Sequence, residues 1–186
     1  MTAALAVRRV HLHEWREIRD LRIDAVSDPA ARVAFLSTRD EELARDDAFW
    51  QERAARAALS DQAAQFVASL ASVADRWIGT VTVLLRDAGA EDHLGRAVDA
   101  PRADVVGVFV RPEHRGSGVL DALVDAAAHW AASHGADALT LDVHEHNARA
   151  RAAYHKLGFT PTGEHFTSVI GPELVMRRES HRDSRP

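Results

Sequence analysis

The stretch from Asp104 to Leu120 constrains this chain most. Val105 to Val110 is a β-branched and aromatic run with Pro112 beyond it, and such a run reads as a buried strand. From Val119 the apolar period becomes helical. Leu120, Leu123, Val124, Ala127, Trp130 and Ala131 share one face, and Gly135 sits where a left-handed C-cap belongs. Between strand and helix lie Arg115, Gly116, Ser117 and Gly118. Such a turn aims unpaired N–H groups and the positive end of the helix dipole at one point, which suits a phosphate or pyrophosphate. Lacking Cβ atoms, Gly116 and Gly118 let an anion approach the backbone.

Three familiar glycine loops fit this stretch poorly. A P-loop needs a lysine after its last glycine, and there is none. A dinucleotide fingerprint needs a third glycine where Asp121 stands, an anion beside a pyrophosphate. A nucleophile elbow spaces its serine one residue from each glycine, whereas Gly116 and Gly118 flank Ser117 directly. What remains is Arg-x-x-Gly-x-Gly/Ala after a valine-rich strand. This resembles the acyl-CoA pyrophosphate loop of the GNAT (general N-acetyltransferase) superfamily, with Arg115 and Gly118 in place and Leu120 where the last Gly/Ala belongs. Downstream, Ala138 to Val143 alternates as a strand does, and Asn147, Ala150, Tyr154, Gly158 and Phe159 follow. That segment is similar to the superfamily's Asn-x-x-Ala-x-x-x-Tyr-x-x-x-Gly-Phe. Asn147 is also a good helix N-cap and Gly158 a good helix end.

The resemblance covers residues 63 to 178 well and the first 60 only loosely. It implies an α/β (α+β) fold, a mixed, mostly antiparallel sheet of about six to seven strands flanked by helices. One domain is expected over 1–178, with a polar tail at 179–186. The implied activity is transfer of acetyl from acetyl-CoA, as cosubstrate, to a primary amine on a small molecule or peptide. A non-catalytic acyl-CoA sensor or scaffold of the same fold is the alternative. By resemblance, the Val108 N–H holds the acyl carbonyl, with Phe109 beside it, and Val110 pairs with pantetheine. Arg115, Gly116, Ser117, Gly118, Val119 and Leu120 form the pyrophosphate turn, and Asn147 meets the cofactor near its pantetheine. Tyr154 is the expected proton donor to the departing thiolate, since a phenol of pKa about 10 can serve. For the base the sequence leaves Asp104, Glu145 or ordered water. Alternation puts Asp104 on the face of Val106, Val108 and Val110. Residues 26 to 40 would wall the acceptor pocket.

Composition excludes other classes. A net charge of −5 argues against nucleic-acid or anionic-membrane binding. The absence of cysteine removes disulfides, thiolate metal sites and a thiol nucleophile, and so favours direct transfer in a ternary complex. No metal is expected: His11-x-His13 and His144-x-His146 lack a third ligand at a recognisable spacing. With no signal-like start and no membrane-length apolar window, a cytoplasmic monomer or homodimer is the expectation.

The remaining elements follow from period and punctuation. Strands are expected at Leu5 to Val10, Gln65 to Ser72, Arg76 to Arg86, Thr160 to Ser168 and Glu173 to Arg178. Helices are expected at His13 to Val26 and from the Thr38/Glu41 capping box, running to Leu59 or breaking near Asp46. Asp87 to Arg102 reads as a surface loop.

Overall fold

The structure, a computed structural model, describes residues 4–71 and 76–179. Seven strands form one sheet in the order β1-β2-β3-β4-β5-β7-β6. They are β1 (Leu5–Arg9), β2 (Ala63–Leu70), β3 (Trp77–Arg86), β4 (Arg102–Val110), β5 (Ala138–His144), β6 (Thr160–Ser168) and β7 (Gly171–Glu179). Every neighbouring pair is antiparallel except β4 with β5. The expected fold class is what forms. The turn expected near Ala74 lies outside the described residues, as does the expected tail apart from Glu179, which instead ends β7.

Helices cover both faces. On one side α1 (Trp15–Val26) and α3 (Asp47–Leu59) bury Ile18, Leu21, Trp50 and Ala54 against Val67, Trp77 and Phe109. On the other, α4 (Val119–Ser133) and α5 (Ala148–Lys156) close over Ile78, Val81, Val83, Val105 and Leu139. The capping box at Thr38 opens only the short α2 (Arg39–Leu43). Asp46 then caps α3 by accepting from the Phe49 N–H at 2.9 Å. The break therefore falls at Asp46, because a second good N-cap competes with continuing the helix.

Two irregularities in β4 shape the centre of the molecule. Val106 pairs with Thr82 and Phe109 with Thr80, so two residues of β4 stand opposite Val81 alone. Gly107 carries this bulge at φ +61°, a left-handed conformation that costs an L residue about 1–2 kcal/mol. The bulge inverts the alternation. Val105 and Val110 both pack under α4, while Phe109 faces α1 and α3. Asp104 therefore does not share a face with Val108 and Val110, contrary to unbroken alternation.

The second irregularity is a splay. The parallel β4–β5 ladder consists of Ala103↔Leu139 and Asp104↔Thr140 and goes no further. Past that point Val105 to Val110 and Leu141 to His144 diverge, and each strand keeps its other neighbour. A slot between two strands, lined by unpaired backbone, is what an extended chain needs to add itself to a sheet edge.

Candidate active site

The slot opens into a cavity of about 910 Å³, within the range of small-molecule sites. Val108, Phe109, Val110, Arg115, Gly116 and Gly118 line it from the strand and turn, with Leu120, Asn147 and Tyr154 from the two helices. Nine of the residues singled out from sequence thus meet in one place. The side chains of Ser117 and Val119 point elsewhere: Ser117 Oγ donates to the His114 carbonyl at 2.6 Å, and Val119 is buried in the core.

The turn has the form an anion needs. Gly116 lies at φ +75° and Gly118 at φ +83°, and a Cβ added at either would meet open space. The N–H groups of Gly116 to Leu120 find no protein acceptor among the described residues, and they cluster at the N-terminus of α4. Asp121 N–H is likewise free, and its side chain borders the same cavity. Arg115 stands beside the turn but is already engaged. Its Nε donates to the Val110 carbonyl at 3.0 Å and Nη2 to Asp28 at 2.5 Å. Burial opposes ionisation of Asp28, yet the Ala30 N–H and Arg115 outweigh it and hold the carboxyl below its usual range. Asn147 caps α5 through Ala150 N–H at 3.1 Å, and its Nδ2 donates to the Val33 carbonyl at 3.2 Å. Arg115 and Asn147 thus both tether the segment between α1 and α2, whose residues 28–36 supply the expected wall.

Leu120 occupies an intermediate place. The core position at the start of α4 belongs to Val119, whose side chain lies close to Gly79. Leu120 is half-buried, packing against the core while also lining the cavity.

Tyr154 is buried, edge-on to Phe159 with ring centroids 5.9 Å apart. No described residue hydrogen-bonds its hydroxyl, and the residue lines the cavity. Burial pushes its pKa up to about 12, so it stays a neutral donor at any working pH.

The carboxylates are arranged differently from the sequence expectation. Asp104 does not line the cavity; it is buried, held by Arg102 at 2.8 Å with Arg86 at 3.5 Å. Glu145 points away to pair with His165 at 3.0 Å. In their place Asp142 and Glu173 border the cavity with His93 and His144. Asp142 stands two residues past the last β4–β5 pair, at the throat of the slot. Its pKa is pushed up to about 6, chiefly by burial, with Glu173 and Asp104 adding and Arg96 opposing. Arg96 holds Oδ2 at 2.6 Å, and no described group hydrogen-bonds Oδ1. Glu173 is 5% exposed, with one carboxylate oxygen that no described group hydrogen-bonds. The loop after β3 brings this about. It folds onto the sheet, burying Val98 and Asp92, and Asp92 joins Arg96 to Arg102. A chain of alternating charges does not advertise itself in sequence, because its members are spread from residue 92 to residue 142.

Away from the cavity, Glu14 completes a three-ligand cluster with His11 and His13, all within 4.8 Å, so a third ligand does exist for that pair. Its carboxylate is already taken by the Arg8 guanidinium and the His11 N–H.

The family comparison agrees with this geometry. A profile described as "Acetyltransferase (GNAT) family" matches residues 16–159. The chain belongs to the GNAT acetyltransferases. Solved structures share its fold. A GNAT-family acetyltransferase from Streptococcus pneumoniae superposes with a TM-score of 0.70 at 18% identity, covering 95% of this chain and 99% of that one. AAC(6')-Iy, solved with the bisubstrate analogue CoA-S-monomethyl-acetylneamine, gives 0.66 at 20% identity over 89% and 97%. An "Uncharacterized N-acetyltransferase YobR" of Bacillus subtilis is 36% identical over 58 residues, 31% of this chain and 24% of that protein. GNAT membership supports acyl transfer to an amine. No helix among the described residues is long and apolar enough to cross a membrane.

Proposed function

We propose that the chain moves an acetyl group from acetyl-CoA directly to a primary amine, within a ternary complex. The observation that carries this reading is the splay of β4 from β5, which opens beside a glycine turn with five unpaired N–H groups. The turn suits the pyrophosphate. The free edge of β4 suits the pantetheine amides, with the Val108 N–H at the bulge available to the acyl carbonyl. Asn147 flanks the slot, and Arg115 supports the turn more than it reaches for phosphate.

Chemistry then needs a base and an acid. Asp142 replaces Asp104 as the base, directly or through one water. It stands at the throat, presents a free oxygen, and changes charge near pH 6. The amine attacks the thioester carbon, and its proton passes to Asp142. The C–S bond breaks, and the departing thiolate takes a hydrogen bond, then a proton, from Tyr154. In a dry pocket a thiolate is destabilised as well as a tyrosinate, so the high pKa of Tyr154 does not disqualify it. With no cysteine in the chain, no acyl-cysteine intermediate is available. Relatives named as acetyltransferases, and a structural neighbour bound to the bisubstrate analogue CoA-S-monomethyl-acetylneamine, lend no support to a sensor role.

The test is amine-dependent release of CoA by the purified protein. Release that rises with amine concentration, and is lost in Tyr154→Phe while acetyl-CoA still binds, upholds the reading. Tight acetyl-CoA binding without release to any amine refutes it.

A further inference from the structure

The acceptor half of the cavity holds a charge that the mechanism does not use. Arg53 reaches the cavity from α3, on the face opposite α4 and the glycine turn. It also borders a small recess against Gly107, the bulge residue, together with Ile18, Gln65 and Thr80. Each arginine near it is matched. Arg22 donates to Glu42 at 2.9 Å and to Ser37 at 2.7 Å. Arg45 takes the other oxygen of Glu42 at 3.2 Å, and Arg56 pairs with Glu52 at 3.2 Å. Arg53 forms no hydrogen bond and no ion pair with any described residue; its guanidinium carbon lies 5.9 Å from the centroid of the Trp50 ring. Burial first, and then Arg22, push its pKa down to about 10 against the opposing pull of Glu42, so it keeps its charge at neutral pH. A half-buried guanidinium beside other cations, its one neighbouring carboxylate, Glu42, already shared by Arg22, Arg45 and Ser37, is costly to the free protein. An incoming anion would remove that cost, and the planar fork favours a carboxylate.

We propose that Arg53 binds a carboxylate of the acceptor, so that the substrate is an amine that also carries a carboxylate, as an amino acid does. The inference rests on the cavity being an acyltransferase site. The acidic end of the cavity, at Asp142 and Glu173, receives the amine; the cationic end, at Arg53, receives the anion. Val33, Ala34 and Phe35 line the same cavity and offer apolar surface to the rest of the acceptor.

The experiment compares the twenty common amino acids with their carboxamides as acceptors for wild type, Arg53→Met and Arg53→Lys, by CoA release. Acetyl-CoA affinity is measured separately by calorimetry. Wild type is expected to favour at least one acid over its carboxamide by roughly ten- to hundredfold in kcat/KM, the range for a charge-assisted pair. Arg53→Met should bring that ratio close to one, mainly through KM, and Arg53→Lys should fall between. Equal use of acids and carboxamides by wild type, or an unchanged ratio in Arg53→Met, overturns the assignment. If acetyl-CoA binds but no acceptor is turned over, amine transfer fails on its own account. The carboxylate subsite is then judged by thermal stability of the CoA-loaded protein with the same compounds. Stabilisation by acids that disappears in Arg53→Met upholds it, and no stabilisation by any acid overturns it.

Discussion

Replacing Asp142 with asparagine keeps the shape of the side chain and its bond to Arg96 while removing the base. The size of the effect follows from the environment. An alkyl ammonium of pKa about 10.4 lies some 4.4 units above Asp142, so moving its proton there costs about 6 kcal/mol. A turnover of about 10 per second corresponds to a barrier near 16 kcal/mol, which leaves roughly 10 kcal/mol for the acyl transfer. Asp142→Asn should therefore lower kcat by about 10²–10⁴, the span of a positioned general base, with little change in acetyl-CoA affinity. The pH profile supplies a second check. The carboxyl is shifted upward, so the active carboxylate form is lost as pH falls through about 6. In wild type, kcat/KM for the amine should drop about tenfold per unit below that pH, beyond the fall due to the amine's own ionisation. Arg96 holds the Asp142 pKa down, so Arg96→Met should move this limb to higher pH. Steady-state CoA release between pH 4.5 and 9 reads both effects. An unaltered acid limb in Asp142→Asn would remove the base from Asp142.

Tyr154→Phe deletes a hydroxyl without a protein partner, so stability should change by less than about 1 kcal/mol while kcat falls by about 10²–10⁴; activity within a few-fold of wild type would place the proton elsewhere. Acetyl-CoA at a hundredfold excess over its dissociation constant should stabilise wild type by about 2.7 kcal/mol, and Gly118→Glu, which puts a carboxylate and a positive-φ strain into the turn, should abolish the shift. Leu120→Ala should cost about 1–2 kcal/mol in chemical denaturation, because the side chain is only half-buried. Its backbone N–H remains, so acetyl-CoA affinity should stay within about threefold; a large gain in affinity would mean that Leu120 obstructs the cofactor.

The strand, turn and helix from Asp104 to Ser133 were legible because three local signals agree there: β-branched residues, paired glycines and a helical apolar face. The Asn147 to Phe159 segment was legible for the same reason. The strand expected near Thr160 to Ser168 forms as β6. What escaped was largely non-local. A single glycine with φ +61° at residue 107 inverted the faces of β4; a lone glycine inside a strand is the signal that could have shown this bulge. Asp104 looked available because alternation was assumed to continue through it. Asp142, Glu173 and Arg53 come from β5, β7 and α3, and their importance lies in which partners they have or lack. Asp142 does carry a visible signal, an acidic residue in the middle of a largely apolar strand. The polar composition of the loop after β3 reads as a surface loop, yet its charges neutralise one another against the sheet.

The most direct test of the account follows the acetyl group itself. The protein is incubated with acetyl-CoA carrying labelled acetyl and a pool of primary amines, and the label is traced through the protein and small-molecule fractions. Direct transfer from the splayed slot predicts label in an N-acetylated amine, CoA formed in equal amount, and none bound covalently to the chain. Label retained on the protein, or acetyl-CoA recovered intact beside every amine, would contradict it.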